Sequence, residues 1–190
     1  MPKRNTATTR CMMLSVAIFI AAANGARAYA AADAAGRIRS WSGDAICIVS
    51  DSAAMSNGIA IVDYVLRPET GSCIRCRISL PPPEKWNGEF WGVGNSSFGG
   101  VLPDTYGLSA AMDAAVATTD LGTAGYISGD DRKKDVPPSV LRDYTWRATH
   151  LMTVYGKRIV KAFYGREARH AYFRGGSCGG RQGLSEAMRL

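Results

Sequence analysis

The residues best suited to chemistry lie near the end of the chain, in the segment AYFRGGSCGGRQGLSEAMRL from Ala171 to Leu190. Gly175-Gly176-Ser177-Cys178-Gly179 has the pattern G-x-S-x-G. A serine hydroxyl is a weak nucleophile unless it projects toward a base and its addition product is stabilised. Ala171, Tyr172 and Phe173 suit a buried strand, and Gln182–Leu190 holds helix formers with Leu184, Ala187 and Met188 on one face. A strand that turns sharply into a helix presents the serine at its tip, and the flanking glycines remove side chains that would clash. The new helix then aims backbone N–H groups at a developing oxyanion, the N–H of Cys178 first. The bare pattern is also that of an ordinary glycine-rich turn, so its neighbours decide the reading.

Those neighbours are specific. The string YFRGGSCGGRQGLSEA resembles the nucleophile segment of the tannase and feruloyl esterase family, roughly Y-F-x-G-C-S-x-G-G-R-Q-G-L-x-E-A. Twelve positions agree: Tyr172, Phe173, Gly175, Ser177, Gly179, Gly180, Arg181, Gln182, Gly183, Leu184, Glu186 and Ala187. The family's cysteine just before the serine, bonded to one beside the catalytic histidine, is Gly176 here, and Cys178 follows the serine instead. The usual tie between nucleophile and histidine cannot form.

Upstream segments extend the resemblance. Leu80-Pro81 and Trp86-Asn87-Gly88-Glu89-Phe90 match L-P-x-x-W-N-G-x-F, which leads into a central strand. The glycine-rich loop Gly92–Gly100 is no phosphate loop, since no Lys-Ser/Thr follows it. It is similar to the family's G-x-G-N-G-G-x-x-G at Gly92, Gly94, Asn95 and Gly100, with Ser96 and Ser97 in place of two glycines. The resemblance implies that this loop gives the second oxyanion N–H, from Ser96 or Ser97. Ala117–Gly122 is similar to A-T-T-D-x-G-H, with Thr123 where the family has histidine. Asp120 reads as a turn-capping or helix-capping residue rather than a triad acid, because in α/β-hydrolases the acid follows the serine. Arg147–His150 matches R-A-x-H, and His150 is expected to be a buried histidine packing its helix on the sheet. His170 is expected to be exposed.

The elements that hold these motifs follow from pattern. Ile46–Val49, Ala60–Leu66 and Ile74–Leu80 read as strands by their β-branched content, separated by Ser56-Asn57-Gly58 and Arg67–Gly71. Leu108–Val116 is alanine-rich and reads as helix, Asp130–Pro138 as loop, and Val140–Tyr164 as the longest helix, closed by Gly165. The fold class expected is α/β: an incomplete α/β-hydrolase fold with a mostly parallel sheet flanked by helices and a small β-rich N-terminal segment. The expected division is 1–30 signal peptide, 31–79 β-rich segment and 80–190 the first part of the hydrolase domain.

Composition excludes several classes. The chain has 190 residues, 46% hydrophobic and 21% charged, which suits a globular domain. Of the net charge of +7, four units come from Lys3, Arg4, Arg10 and Arg27, leaving +3 for the rest. No basic stripe interleaves with aromatics, so nucleic acid is not an expected partner. Lys3, Arg4 and Arg10 precede the apolar run Cys11–Ala23, and Ala26-Arg27-Ala28 or Ala28-Tyr29-Ala30 fits a cleavage site. The expectation is a cleaved signal, a secreted or periplasmic protein and no membrane association afterwards; the run is too short to span comfortably. Secretion favours disulfides. Cys73-x-x-Cys76 lacks further ligands for zinc and runs into a strand, so a structural bond from Cys47 to Cys73 or Cys76 is expected.

The resemblance implies a serine ester hydrolase that forms an acyl-enzyme on aromatic, phenolic esters. In the family a lid, which often binds calcium, then the triad Asp and His follow the nucleophile helix. None of these is read in this chain, so no cofactor or metal is expected, and neither histidine lies downstream of Ser177. The chain is therefore expected to be a truncated, inactive piece; the alternative is a secreted non-catalytic remnant that binds phenolic ligands.

Overall fold

A computed structural model describes residues 46–47, 54–126 and 135–189. The expectations on residues 1–30 and most of the loop 130–138 lie outside them. The strands are β1 (Ile46–Cys47), β2 (Ala54–Ser56), β3 (Ile59–Leu66), β4 (Ile74–Leu80), β5 (Glu89–Val93), β6 (Ala115–Thr119) and β7 (His170–Arg174). The helices are α1 (Tyr106–Met112), α2 (Pro138–Arg142), a π-helical turn (Asp143–Arg147), α3 (Ala148–Tyr164) and α4 (Cys178–Ala187).

All seven strands form one sheet, ordered β1-β3-β4-β6-β5-β7 with β2 beside β3. Asn57 and Gly58 both take positive φ, 47° and 83°, the signature of the two-residue turn that joins β2 to β3. β3 and β4 run antiparallel to their neighbours, β6 is antiparallel to β4, and β5 pairs in parallel with both β6 and β7. The sheet is thus mixed, and its parallel character is confined to the end that carries Ser177. β3 and β4 share this sheet with β5. This is an α/β-hydrolase sheet in its first strands, with helices against it.

Packing explains where the elements stop. β6 is buried at all five positions, as the middle strand must be. The alanine-rich run after Leu108 was expected to continue as helix to Val116. Instead α1 ends at Met112, Asp113 turns left-handed with φ 48°, and Ala115 and Val116 enter the sheet. Small side chains suit a strand covered on both faces, and burial overrides helix propensity there. On α3, Ala148, Met152 and Ile159 join Tyr64, Ile78 and Phe90 in the core. Gly156 lets that helix lie on Phe90: a Cβ there would stand 2.8 Å from the ring.

The Trp-Asn-Gly motif is a scaffold. Trp86 stacks on Tyr164 with ring centroids 3.8 Å apart, and its indole N–H donates to the Glu89 carbonyl. The Asn87 side chain donates to the Met112 carbonyl and accepts from the Glu89 N–H. The entrance to β5 is thereby fixed to the ends of α1 and α3. A second anchor joins the β3–β4 turn to the π-helical turn. Buried Asp143 accepts from Ser72 Oγ at 2.6 Å and Arg147 Nε at 2.6 Å, and Arg147 also pairs with Glu69 at 2.7 Å.

Cys73 and Cys76 hold free thiols, against the expected bridge to Cys47. β1 and β4 lie on opposite sides of β3. Cys47 and Cys76 are therefore about two strand spacings apart, roughly 9.5 Å, beyond disulfide reach. Burial pushes the Cys76 thiol far above its usual range, whereas Cys73 is exposed.

Two outcomes are expected. Maleimide added to the native protein near pH 8 labels Cys73 and spares Cys76 until denaturant is added, read by mass spectrometry. Gly156→Ala lowers stability by about 1–2 kcal/mol in urea unfolding, since overpacking against Phe90 exceeds the gain in helix propensity.

Candidate active site

Ser177 stands where β7 gives way to α4. Its backbone is at φ 51° and ψ −118°, a region costly for any residue with a side chain. The side chain is exposed, while Cys178 and Gly179 behind it are buried. Two hydrogen bonds close the turn: Gly179 N–H to the Gly176 carbonyl at 2.8 Å, and Arg181 N–H to the Ser177 carbonyl at 3.1 Å.

The turn is held by backbone meeting backbone. A Cβ on Gly175 would fall 2.4 Å from the Gly179 carbonyl carbon, and one on Gly94 would fall 2.5 Å from Gly179 Cα. Gly94 N–H also donates to the Arg174 carbonyl at 2.9 Å. The loop after β5, with Ser96 and Ser97, thus lies against the turn that carries Ser177. Both sit beyond the C-terminal ends of the parallel strands, where α/β sheets bind ligands. Among the described residues, the N–H groups of Ser96, Ser97 and Cys178 take part in none of the backbone bonds that shape the loop and turn. Ser97 is left-handed at φ 50°, a conformation the family's glycine would adopt without strain.

Gln182 fastens loop to helix. Its Oε1 accepts the Asn95 N–H at 2.8 Å, and its Nε2 donates to Asn95 Oδ1 at 3.2 Å and Thr149 Oγ1 at 3.0 Å. Asn95 in turn donates to the Val101 and Thr119 carbonyls at 3.0 and 2.8 Å. Asn95 and Gln182 are both buried. Such a network is worth most when every member is satisfied, as here. Asn95 and Gln182 carry family identities, but their pairing across 87 residues is not readable from either motif alone.

The same loop is pinned from below. Asp120, fully buried, accepts from the N–H groups of Arg75 and Gly122 and pairs with Arg75 Nε at 2.7 Å. It caps a turn, away from any triad role. Thr123, in the family's histidine place, lies within hydrogen-bond distance of the Phe98 and Asp120 carbonyls. Arg75 also donates to the Gly100 carbonyl at 3.0 Å.

The histidines stand elsewhere. His150 does not pack against the sheet as expected. It lies two positions off the Ala148–Met152–Ile159 stripe, keeps a 30% exposed side chain, and faces α4 with Nδ1 3.4 Å from Glu186 Oε2. Glu186 is two helical turns from Cys178, about 12 Å along α4. His170 is exposed at the far end of β7, about 13 Å of strand from the turn. Neither imidazole is positioned at Ser177.

The π-helical turn supplies the remaining wall. Tyr144 Oη is 4.0 Å from Cys178 Sγ, and its ring centroid is 6.2 Å from that of Phe98. Arg181 lies over the ring at 4.4 Å and donates to the Tyr144 and Thr145 carbonyls at 2.8 and 2.6 Å. Burial first, then the Cys178 thiol, raise the Tyr144 hydroxyl above its ordinary range. Neither Phe98 nor Tyr144 stood out in the sequence.

Gln182→Ala is expected to cost about 2–4 kcal/mol in chemical unfolding, because it orphans the buried Asn95 N–H and leaves a void. Gly176→Cys, at the site where the family has cysteine, is expected to leave the unfolding midpoint unchanged or slightly raised. A Cβ at Gly176 meets nothing within 4 Å.

Comparisons with known proteins agree with this fold. The profile of the family described as tannase and feruloyl esterase matches residues 60–190. A probable feruloyl esterase B-2 from Aspergillus flavus is 34% identical over 141 residues, covering 72% of this chain and 26% of that protein. Feruloyl esterase C from Talaromyces stipitatus is 29% identical over 137 residues, covering 70% and 25%. The crystal structure of feruloyl esterase B from Aspergillus oryzae superposes with a TM-score of 0.57 at 27% identity, covering 66% of this chain and 24% of that one. This chain spans about a quarter of the length of these relatives. With the profile covering most of its residues and the serine at the expected corner, the chain belongs to the tannase and feruloyl esterase family.

Proposed function

We propose that this chain carries the nucleophile and oxyanion-binding part of a serine carboxylic ester hydrolase acting on aromatic, phenolic esters. The observation that carries the reading is the strained backbone of Ser177 at the junction of a parallel strand and a helix. Strain of this kind at an exposed hydroxyl has no packing purpose and persists only because Gly94, Gly175 and Gly179 over-determine it. In the proposed step Ser177 Oγ bonds to the ester carbonyl carbon and its proton passes to a base. The carbonyl oxygen, now negative, lies against the N–H of Cys178 and that of Ser96 or Ser97. Collapse breaks the bond to the alcohol, which leaves with the proton, and water later releases the acid. The feruloyl group named in the relatives is the proposed acyl class.

The base is the missing partner. With His150 turned to Glu186 and His170 at the opposite end of β7, no imidazole of this chain meets Ser177. The chain by itself is therefore proposed to bind an aromatic ester without turning it over. Residues 1–30 are proposed to direct secretion; among the described residues no helix is long and apolar enough to cross a membrane.

An external base tests this directly. The full chain and Ser177→Ala are expected to hydrolyse methyl ferulate and p-nitrophenyl ferulate equally slowly in plain buffer. With added imidazole, only the chain that retains Ser177 is expected to gain a protein-dependent rate on the p-nitrophenyl ester. Equal rates for both proteins at every imidazole concentration would sink the nucleophile assignment. Ser177-dependent turnover in plain buffer would show that a base lies within these residues.

A further inference from the structure

Asn-Gly occurs three times in the chain, at Asn24, Asn57 and Asn87. The pair is open to cyclisation because glycine carries no side chain to shield its own nitrogen from the preceding amide. Attack requires the asparagine side chain to swing onto that nitrogen, so the bonds it already makes decide whether it reacts. Asn24 lies outside the described residues. The other two stand in opposite settings.

Asn87 is tied at every polar atom. Its N–H donates to the Asp113 carbonyl at 2.8 Å, and its carbonyl accepts from Arg169 Nη2 at 2.7 Å. Its side chain donates to the Met112 carbonyl at 3.0 Å and accepts the Glu89 N–H at 2.8 Å. The Gly88 carbonyl is held as well, by the Arg169 N–H at 2.8 Å. Rotation of the Asn87 side chain breaks several of these bonds at once. Asn57, by contrast, is exposed at the tip of the β2–β3 turn. Its side chain reaches across to α1, with Nδ2 donating to Tyr106 Oη at 2.9 Å. Among the described residues, the Gly58 N–H joins none of the backbone bonds that shape turns. An exposed amide–phenol bond is cheap to break, since water replaces it.

We propose that Asn57 is a site of spontaneous modification in the folded protein, restrained by Tyr106, while Asn87 is protected. The Gly58 nitrogen bonds to Asn57 Cγ and the Cγ–Nδ2 bond breaks. Nδ2 leaves as ammonia with the proton from Gly58, and the product is a succinimide ring. Water then opens the ring at either carbonyl. One opening leaves aspartate at position 57, and the other leaves isoaspartate, with the main chain running through the side-chain carbon. Both remove the donor that meets Tyr106 and add a negative charge. Isoaspartate also lengthens the main chain inside a two-residue turn whose geometry has no room for it. β2 pairs with β3 alone, so this turn is its tether to the sheet. The inference is independent of the ester-hydrolase reading.

The full chain is incubated in heavy-oxygen water at mildly alkaline pH, folded and in urea, and peptide mass spectrometry follows label uptake at each asparagine. In the folded protein Asn57 is expected to react at least about tenfold faster than Asn87, the difference of a few hydrogen bonds in the barrier. In urea the two are expected to react at similar rates. Tyr106→Phe is expected to speed the reaction at Asn57 about two- to fivefold and to leave Asn87 unchanged. The isolated isoaspartate form is expected to lose hydrogen-exchange protection in β2. Folded-state rates at Asn57 no higher than at Asn87, or a preference equally large in urea, overturn the site. A Tyr106→Phe variant that reacts no faster overturns the restraint, and a fully protected β2 in the isoaspartate form overturns the effect on the hairpin.

Discussion

Three glycines touching at one point hold the site together. Gly94 directly follows β5, Gly175 directly follows β7, and Gly179 is the second residue of α4. A Cβ on Gly94 or Gly175 would fall 2.5 or 2.4 Å from the Gly179 main chain, and one on Gly179 would stand 3.2 Å from Gly94. The contact converts two separate strand ends into one rigid floor, and it puts Ser177 and the Ser96–Ser97 loop on the same side of the sheet. Side chains could not do this, because even an alanine would force the loop and the turn apart. The strain at Ser177 is tolerated because this floor leaves the turn no cheaper path.

Around that floor α4 docks through a polar seam. Cys178, Gln182 and Glu186 follow one another at four-residue spacing on the buried face of α4. They meet Tyr144, Asn95 with Thr149, and His150 respectively. An apolar face would have let α4 slide or rotate at little cost, whereas hydrogen bonds of fixed direction do not. The exposed apolar residues Leu184 and Met188 lie on the other side of the helix. The stripe that binary patterning picks out as the core face is therefore the outer one, and the polar stripe is the inner one.

This inversion explains what sequence could and could not reveal. The corner at Ser177 was legible because a strand that turns sharply into a helix needs glycines, and both leave local marks. β3 and β4 were legible by their β-branched runs, and Asp120 as a turn cap by its place before Leu121-Gly122. The helical reading of Ala114–Val116 failed because alanine is equally suited to the crowded middle of a sheet. His150 was misplaced because a histidine inside a helix looks alike whether its neighbour is a sheet or a second helix. Phe98 and Tyr144 left no mark: they are 46 residues apart in the chain, and only the π-helical turn brings their rings together.

The altered cysteine pattern has a physical reading in the same terms. Where the resemblance implies a disulfide beside the serine, Gly176 faces open space, and the chain's own cysteine points inward to Tyr144 instead. A disulfide typically contributes about 2–4 kcal/mol, chiefly by restricting the unfolded chain. The bonds from Gln182 and Arg181 contribute about 1 kcal/mol each. Several such bonds are comparable in sum, but they act differently. They fix the angle at which the turn meets the sheet, whereas a disulfide fixes only the distance to one other point. The Ser177 turn therefore keeps its shape without the cysteine, and what the substitution removes is the covalent link by which the family's serine is held to its histidine.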